Sequence, residues 1–288
     1  MQGKKSIIWL TSYPKSGNTW MRLFLHALKT GCDKIETLDV INGTDGIASS
    51  RAILDNLLGV YTSDMPDLEI QKLRADAYRI QSCELTEEII VKVHDAAFHA
   101  GYLTFPKDVT KKVIYIVRNP FDMAASYANH MGSTIDHAVL ALCDGNGFLA
   151  PNKKKLTSQV TQYMGSWSDH YNSWKNYYRS DMTVVRYEDM LHHSFATFKR
   201  VVDVLGWEKS DTDIEKAIRV SDFKNLRSVE ESSGFKEKPS GTRQFFRQGK
   251  SGQWKNEITI AQAQLLVDRH FYTLLEHGYI DEHGNILI

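Results

Sequence analysis

Four short apolar runs rich in β-branched residues, at residues 7–10, 89–93, 113–117 and 183–185, are each followed by a turn or polar signal and then by helical spacing. An uninterrupted apolar run suits a strand buried on both faces of a parallel sheet, whereas a strand with one wet face would alternate. The spacing between and after the runs predicts helices over residues 19–29, 121–130, 159–178, 194–205, 212–220 and 261–277. Strand and helix alternating in this way imply an α/β fold, a central parallel β-sheet flanked by helices, and such sheets bind ligands beyond the carboxyl ends of their strands. Residues 132–158, with the run Lys153-Lys154-Lys155, and residues 230–253, with one proline, mix Gly, Ser, Lys and other polar residues and read as loops or lids.

A chain of 288 residues, 42% of them hydrophobic, can bury a full core, and the length predicts one domain over residues 1–288. Lys plus Arg and Asp plus Glu both total 35, so no global field draws the chain to nucleic acid or to an anionic membrane, and any anion site must be built locally. The three cysteines, Cys32, Cys83 and Cys143, are odd in number, far apart and without C-x-x-C spacing, which argues against a disulfide framework and against a zinc site. After Lys4 and Lys5 the apolar stretch ends at Leu10, far short of a signal-peptide core or of the roughly 20 residues needed to span a bilayer. The expectation is a soluble, cytoplasmic protein.

The first run leads into Thr11-Ser12-Tyr13-Pro14-Lys15-Ser16-Gly17-Asn18-Thr19-Trp20 and then an amphipathic helix. Strand, glycine-bearing turn and helix start bring free backbone N–H groups and the positive end of a helix dipole together, which favours an anion. Lys15 adds a charge, and Ser16, Asn18 and Thr19 add donors, while Gly17 removes a Cβ from the approach. The same residues also fit an ordinary turn capped by Ser16 or Asn18. The triphosphatase pattern G-x-x-x-x-G-K-[ST] is absent, because the lysine precedes the glycine. Residues 13–20 resemble the 5′-phosphosulfate loop of the cytosolic-type sulfotransferase family, Y-P-K-[SA]-G-[TN]-T-W, at every position.

That resemblance implies a single P-loop-like domain with 3′-phosphoadenosine 5′-phosphosulfate as co-substrate and the 3′,5′-bisphosphate as product. It makes Lys15, Ser16, Gly17, Asn18, Thr19 and Trp20 nucleotide-binding residues. A second segment, Arg118, Asn119, Pro120, Asp122 and Ser126, is similar to the family's 3′-phosphate motif R-N-P-x-D-x-x-x-S. An arginine fork beside a hydroxyl is a phosphate grip, although Arg118 alone fits a salt-bridged structural role equally. Residues 246–256, Phe-Arg-Gln-Gly-Lys-Ser-Gly-Gln-Trp-Lys-Asn, resemble the family's nucleotide-clamping loop R-K-G-x-x-G-D-W-K-N. Arg247, Gly249, Gly252, Trp254 and Lys255 match it; Gln248 stands where the family has Lys and Gln253 where it has Asp. Tyr187-Glu188-Asp189 and Ser221-Asp222-Phe223 resemble family segments, the second one at adenine, so Tyr187, Ser221, Phe223 and Trp20 become candidates for the base pocket, although aromatic residues such as Tyr187, Phe223 and Trp20 are more often core than base platform.

For the chemistry, Lys92-Val93-His94 resembles the family's K-T-H segment, which implies His94 as general base; a neutral imidazole, with an ordinary pKa of about 6.5, can take a hydroxyl proton. Sulfuryl transfer is expected to be an in-line displacement helped by alignment and charge, with Lys15 at the leaving phosphate, Lys92 at the transferring group and Ser126 restraining Lys15 or binding the 3′-phosphate. No metal is expected, since no cluster has ligand spacing. The acceptor expected is a small-molecule or glycosidic hydroxyl, with Phe98, His99, Tyr102, Tyr127, His130 and Met131 as candidate lining. Rival readings are a P-loop kinase-like phosphotransferase and a non-catalytic nucleotide-binding protein of the same fold. Of the family's dimer segment K-x-x-x-T-V-x-x-x-E only Lys255, Thr259 and Ile260 echo the pattern, and Gln264 stands where the Glu belongs.

Overall fold

In chain order the strands are β1 (Ile7–Ser12), β2 (Ile89–Val93), β3 (Phe98–His99), β4 (Tyr102–Leu103), β5 (Thr110–Val117), β6 (Phe148–Leu149), β7 (Gln162–Tyr163) and β8 (Met182–Arg186). The structure, a computed structural model, describes residues 6–42, 46–150, 157–238 and 244–288. The lysine run 153–155 and Lys4 and Lys5 lie outside the described residues, as does part of the predicted loop 230–253. The four apolar runs form one parallel sheet in the order β2-β1-β5-β8. β1 pairs with β2 from Ile7 opposite Ile89 to Thr11 opposite Val93, and every residue of β1 is buried, which is why its sequence does not alternate. β3 with β4 and β6 with β7 make two small antiparallel pairs.

The helices are α1 (Asn18–Thr30), α2 (Arg51–Leu58), α3 (Asp67–Glu84), α4 (Pro120–Met131), α5 (Ile135–Cys143), α6 (Trp167–Tyr178), α7 (Tyr187–His192), α8 (Ser194–Leu205), α9 (Asp211–Val220), α10 (Phe223–Ser233) and α11 (Ile260–Glu276). The helix expected over 159–178 starts later, at Trp167. Gln162 and Tyr163 are drawn into β7, Gly165 takes a φ of 64°, and the Ser166 hydroxyl accepts from Asp169 N at 3.2 Å to cap α6. The stretch 132–158, expected as a loop, contains α5 and β6, with Gly132 ending α4 in the left-handed region. α10 extends into the start of the other predicted loop. α3 went unpredicted because its buried stripe, Ile70, Gln71, Arg74, Ala77, Tyr78 and Ser82, is half polar and hides the helical period.

Two interleaved compact units make up the chain: Met1–Tyr13, Asp45–Tyr115 and Asp144–Val184 form the first, and Pro14–Thr44, Ile116–Cys143 and Val185–Ile288 the second. The first has an aromatic core in which Trp9 lies 4.8 Å from Phe105 and Phe105 lies 4.9 Å from Trp174, ring centre to ring centre. The second packs α1 on α8 through Phe24 stacked 4.1 Å from Phe198. The chain passes into the second unit just before each of three segments singled out above, at Pro14, Ile116 and Val185. No helix among the described residues is long and apolar enough to cross a membrane.

Candidate active site

The second unit carries the loop Pro14 to Thr19. Lys15 sits at φ 71° and Gly17 at φ 100°, a pair of positive values that turns the chain sharply out of β1 and into α1. A non-glycine residue held there costs about 1 kcal/mol or more, so the surrounding packing must fix it. Gly17 could not be otherwise: a Cβ would lie 2.7 Å from the Tyr187 ring. Gly17 is also the N-cap of α1, no side chain caps the helix, and no acidic residue occupies its first turn. Neither Ser16 nor Asn18 therefore plays the capping role that an ordinary turn would give it; the Ser16 hydroxyl donates instead to Met123 Sδ at 3.5 Å. Asn18 and Thr19 are buried. The Lys15 ammonium lies 3.7 Å from the centre of the Phe245 ring.

Arg118, one residue past β5, donates from one terminal nitrogen to the Lys15 carbonyl at 3.1 Å and reaches the Lys250 carbonyl from the other at 3.5 Å, its guanidinium 4.4 Å from the Tyr187 ring centre. Asn119 caps α4 by accepting from Asp122 N at 2.7 Å, and its amide donates to Glu188 Oε1 at 2.7 Å. Asp122 accepts from Gly252 N at 2.7 Å and Trp254 N at 2.9 Å, so α4 holds the C-terminal loop. Glu230, buried on α10, holds the same loop higher up by accepting from Phe245 N at 2.6 Å and Phe246 N at 2.9 Å. Ser126 is buried on α4.

Trp20 packs edge-on against Tyr187 and Phe198, at 6.0 and 5.6 Å, and its indole N–H is buried with no hydrogen-bond partner among the described residues. Burial raises the pKa of Tyr187. Phe223 belongs to another group, against Phe246 at 5.8 Å and so close over Gly249 (φ 63°) that a Cβ there would lie 2.3 Å from its ring. The Ser221 hydroxyl donates to the Ala217 carbonyl at 2.8 Å. Arg247 forks onto Glu257, at 2.6 and 2.9 Å, and Gln248 Nε2 donates to the same carboxylate at 3.2 Å.

In the first unit, His94 follows β2 directly and its Nδ1 donates to the Ser12 carbonyl at 2.8 Å. With Nδ1 a donor, a neutral ring carries its lone pair on Nε2. The backbone of His94 and Asp95 is gripped from α6: His170 Nε2 donates to the His94 carbonyl at 3.1 Å and Trp174 Nε1 to the Asp95 carbonyl at 3.0 Å. Burial lowers the pKa of His170 to about 4, and its Nδ1 is 2.8 Å from the Tyr115 hydroxyl. The Asp95 carboxylate is paired with Arg74, both fully buried, and Arg74 also donates to Tyr78 Oη at 3.0 Å. Burial works against the charge of Arg74, but Asp95 and Tyr78 overcome it and hold the pKa above that of an ordinary arginine. Lys92, half-buried, lies opposite Leu10 on the sheet. His99 stacks on Tyr163 at 3.9 Å and Phe98 on Tyr177 at 5.2 Å.

The structure adds Phe245, Glu230, Glu257, Arg74 and His170 to these residues. Phe245 and Glu257 flank the segment 246–256 on either side, while Glu230, Arg74 and His170 have no motif beside them. Among the described residues no group of three or more His, Cys, Asp or Glu is arranged to hold a metal ion.

The family model described as the Sulfotransferase domain matches residues 5–276. Sulfotransferase 2A6 of Rattus norvegicus is 29% identical over 165 residues, which cover 53% of this chain and 53% of that protein, so the match spans about half of that relative's length. Flavonol 4′-sulfotransferase of Flaveria chlorifolia is 25% identical over 275 residues, covering 88% of this chain and 74% of that protein. A solved structure of retinol dehydratase in complex with androsterone and inactive cofactor PAP shares the fold, with a TM-score of 0.61 at 17% identity over 94% of this chain and 81% of that one.

Proposed function

Because this chain belongs to the Sulfotransferase domain family, we propose that it moves a sulfuryl group from 3′-phosphoadenosine 5′-phosphosulfate to the hydroxyl of a small molecule. One observation carries the reading: the uncapped start of α1, with Lys15 and Gly17 in left-handed backbone beside it, is tied through Arg118 to the C-terminal loop. The N–H groups of a helix start, a lysine and an arginine fork suit a phosphate and a phosphosulfate. The retinol dehydratase structure was solved with PAP, and the flavonol relative is named for a small aromatic acceptor.

In this reading the acceptor oxygen forms a bond to sulfur as the bond from sulfur to the 5′-phosphate oxygen breaks. His94 takes the acceptor proton on Nε2, the nitrogen left with a lone pair by the bond to Ser12. Lys15 leaves Phe245 to meet the charge that develops on the departing phosphate, and Lys92 steadies the transferring group. Ser16, Gly17, Asn18 and Thr19 hold the 5′-phosphate; Arg118, Ser126, Arg247, Gln248 and Gly249 hold the 3′-phosphate. Trp20, Tyr187, Ser221 and Phe223 surround adenine, where the unpartnered Trp20 N–H would find an acceptor. No metal takes part.

The test is turnover: labelled donor and a panel of phenols and alcohols, with and without a chelator. Transfer of label that survives chelation supports the reading. Tight binding of the bisphosphate with no transfer to any acceptor would favour a non-catalytic binding protein, and Mg²⁺-dependent phosphate transfer from ATP would favour a kinase.

A further inference from the structure

The contact of Arg247 with Glu257 in the C-terminal loop sets a carboxylate where the proposed function wants a phosphate. Both terminal nitrogens of Arg247 are on the Glu257 carboxylate, at 2.6 and 2.9 Å, and Gln248 Nε2 adds a third bond to the same group. Arg247 Nε and Gln248 Oε1 are buried with no hydrogen-bond partner among the described residues. Glu257 is thus received as an oxyanion is received, by a planar fork and an amide together. Its side chain is 13% exposed and that of Arg247 31%, so water screens the pair only in part.

We propose that Glu257 is a built-in competitor for the 3′-phosphate, a specificity-determining residue that lowers affinity for the bisphosphate and so eases its release. The inference rests on the proposed function, in which Arg247 binds that phosphate. Carboxylate and phosphate want the same end of the same guanidinium, so binding exchanges one anion for the other, and the displaced Glu257 stays near a second negative group. Gln248, neutral, does nothing to offset that repulsion.

The experiment is calorimetry of 3′-phosphoadenosine 5′-phosphate and of adenosine 5′-phosphate with wild type, Glu257→Gln and Gln248→Lys. Glu257→Gln keeps the shape and removes the charge, and it is expected to tighten the bisphosphate by about three- to tenfold, the change that follows when a half-screened ion pair no longer has to be broken. Adenosine 5′-phosphate should be unmoved. Gln248→Lys gives Glu257 another cation and is expected to shift the bisphosphate in the same direction, which keeps the test alive should the first variant fail to fold. Bisphosphate affinity that is unchanged or weaker in the variants, or that rises equally for both nucleotides, overturns the inference while leaving the proposed function standing. Wild type that binds the two nucleotides equally overturns the proposed function itself.

Discussion

In the first unit the segment His94-Asp95 is held by side chains that arrive from far along the chain, Arg74 on α3 and His170 and Trp174 on α6. In the second unit the segment Lys15 to Thr19 is shaped by its own backbone, with left-handed values at Lys15 and Gly17, and Tyr187, Arg118, Met123 and Phe245 meet it from outside. The first arrangement orients one ring; the second presents a row of N–H groups and needs few side chains to do so. A side-chain network fails when one buried member is removed, whereas a backbone cradle fails when a Cβ is added.

The largest effects should separate the two by kinetics. His94→Ala is expected to lower turnover by about 10²- to 10⁴-fold while bisphosphate affinity stays near wild type, since a base meets the acceptor proton and not the nucleotide. Lys15→Ala should lower turnover comparably and weaken the bisphosphate as well. Steady-state rates at saturating acceptor, set beside calorimetry, check both. His94→Ala with more than about a tenth of the wild-type rate would reject it as the base.

Next in size is the buried pair. Asp95→Ala strands the Arg74 guanidinium in an environment without water, and unpaired buried charges of this kind destabilise by about 3–5 kcal/mol. Denaturant unfolding should show a midpoint far below that of wild type, and the double variant Arg74→Met with Asp95→Ala should recover part of the loss. If the single variant unfolds within about 1 kcal/mol of wild type, Arg74 and Asp95 do not form a critical buried pair.

Smaller again, and confined to the second unit, is the anchor of the C-terminal loop. Asp122→Asn keeps the shape but replaces two charge-assisted bonds, to Gly252 N and Trp254 N, by weaker ones, a loss of about 1–2 kcal/mol. With the loop less firmly held, the bisphosphate is expected to bind about tenfold more weakly. Unaltered affinity would show that the loop's hold on α4 does not matter to the nucleotide.

The contrast also explains what could be read in advance. Tyr13 to Trp20 is a local pattern in which Pro, Gly and a helix start follow one another, so the turn out of β1 was visible as soon as its residues were in view. The sheet was legible for the same reason, through runs such as Ile7 to Leu10. Arg74 reaches Asp95, His170 the His94 carbonyl and Glu230 the Phe245 N–H across 21, 76 and 15 positions, and no period or spacing joins these pairs. Asn119 and Asp122 fall between these cases: their motif was plain, but their bonds to Glu188, Gly252 and Trp254 exist only in three dimensions. α5 is hidden because Gly132 and the polar residues after it read as loop, and the late start of α6 because the predicted helix runs straight through Gly165, whose φ of 64° belongs to the turn before the Ser166 cap.

The smallest effect expected is one of acid. His170 is fully buried among Tyr115, Tyr13 and the His94 carbonyl, and burial depresses its pKa to about 4 from an ordinary value near 6.5. Between those values the unfolded chain binds a proton that the folded chain refuses, so stability rises with pH through this window and falls as pH drops. From pH 6.5 to 5.5 this one group should remove about 1 kcal/mol, and nothing further is lost to it above about pH 7.5. Urea midpoints of wild type and His170→Gln across that range isolate the contribution: the variant starts lower, because a hydrogen-bonded ring has been replaced, but its midpoint should decline less steeply between pH 6.5 and 5.5. Parallel slopes would mean that His170 takes up its proton in the folded protein too, and the imidazole that steadies the His94 backbone would then be charged rather than neutral.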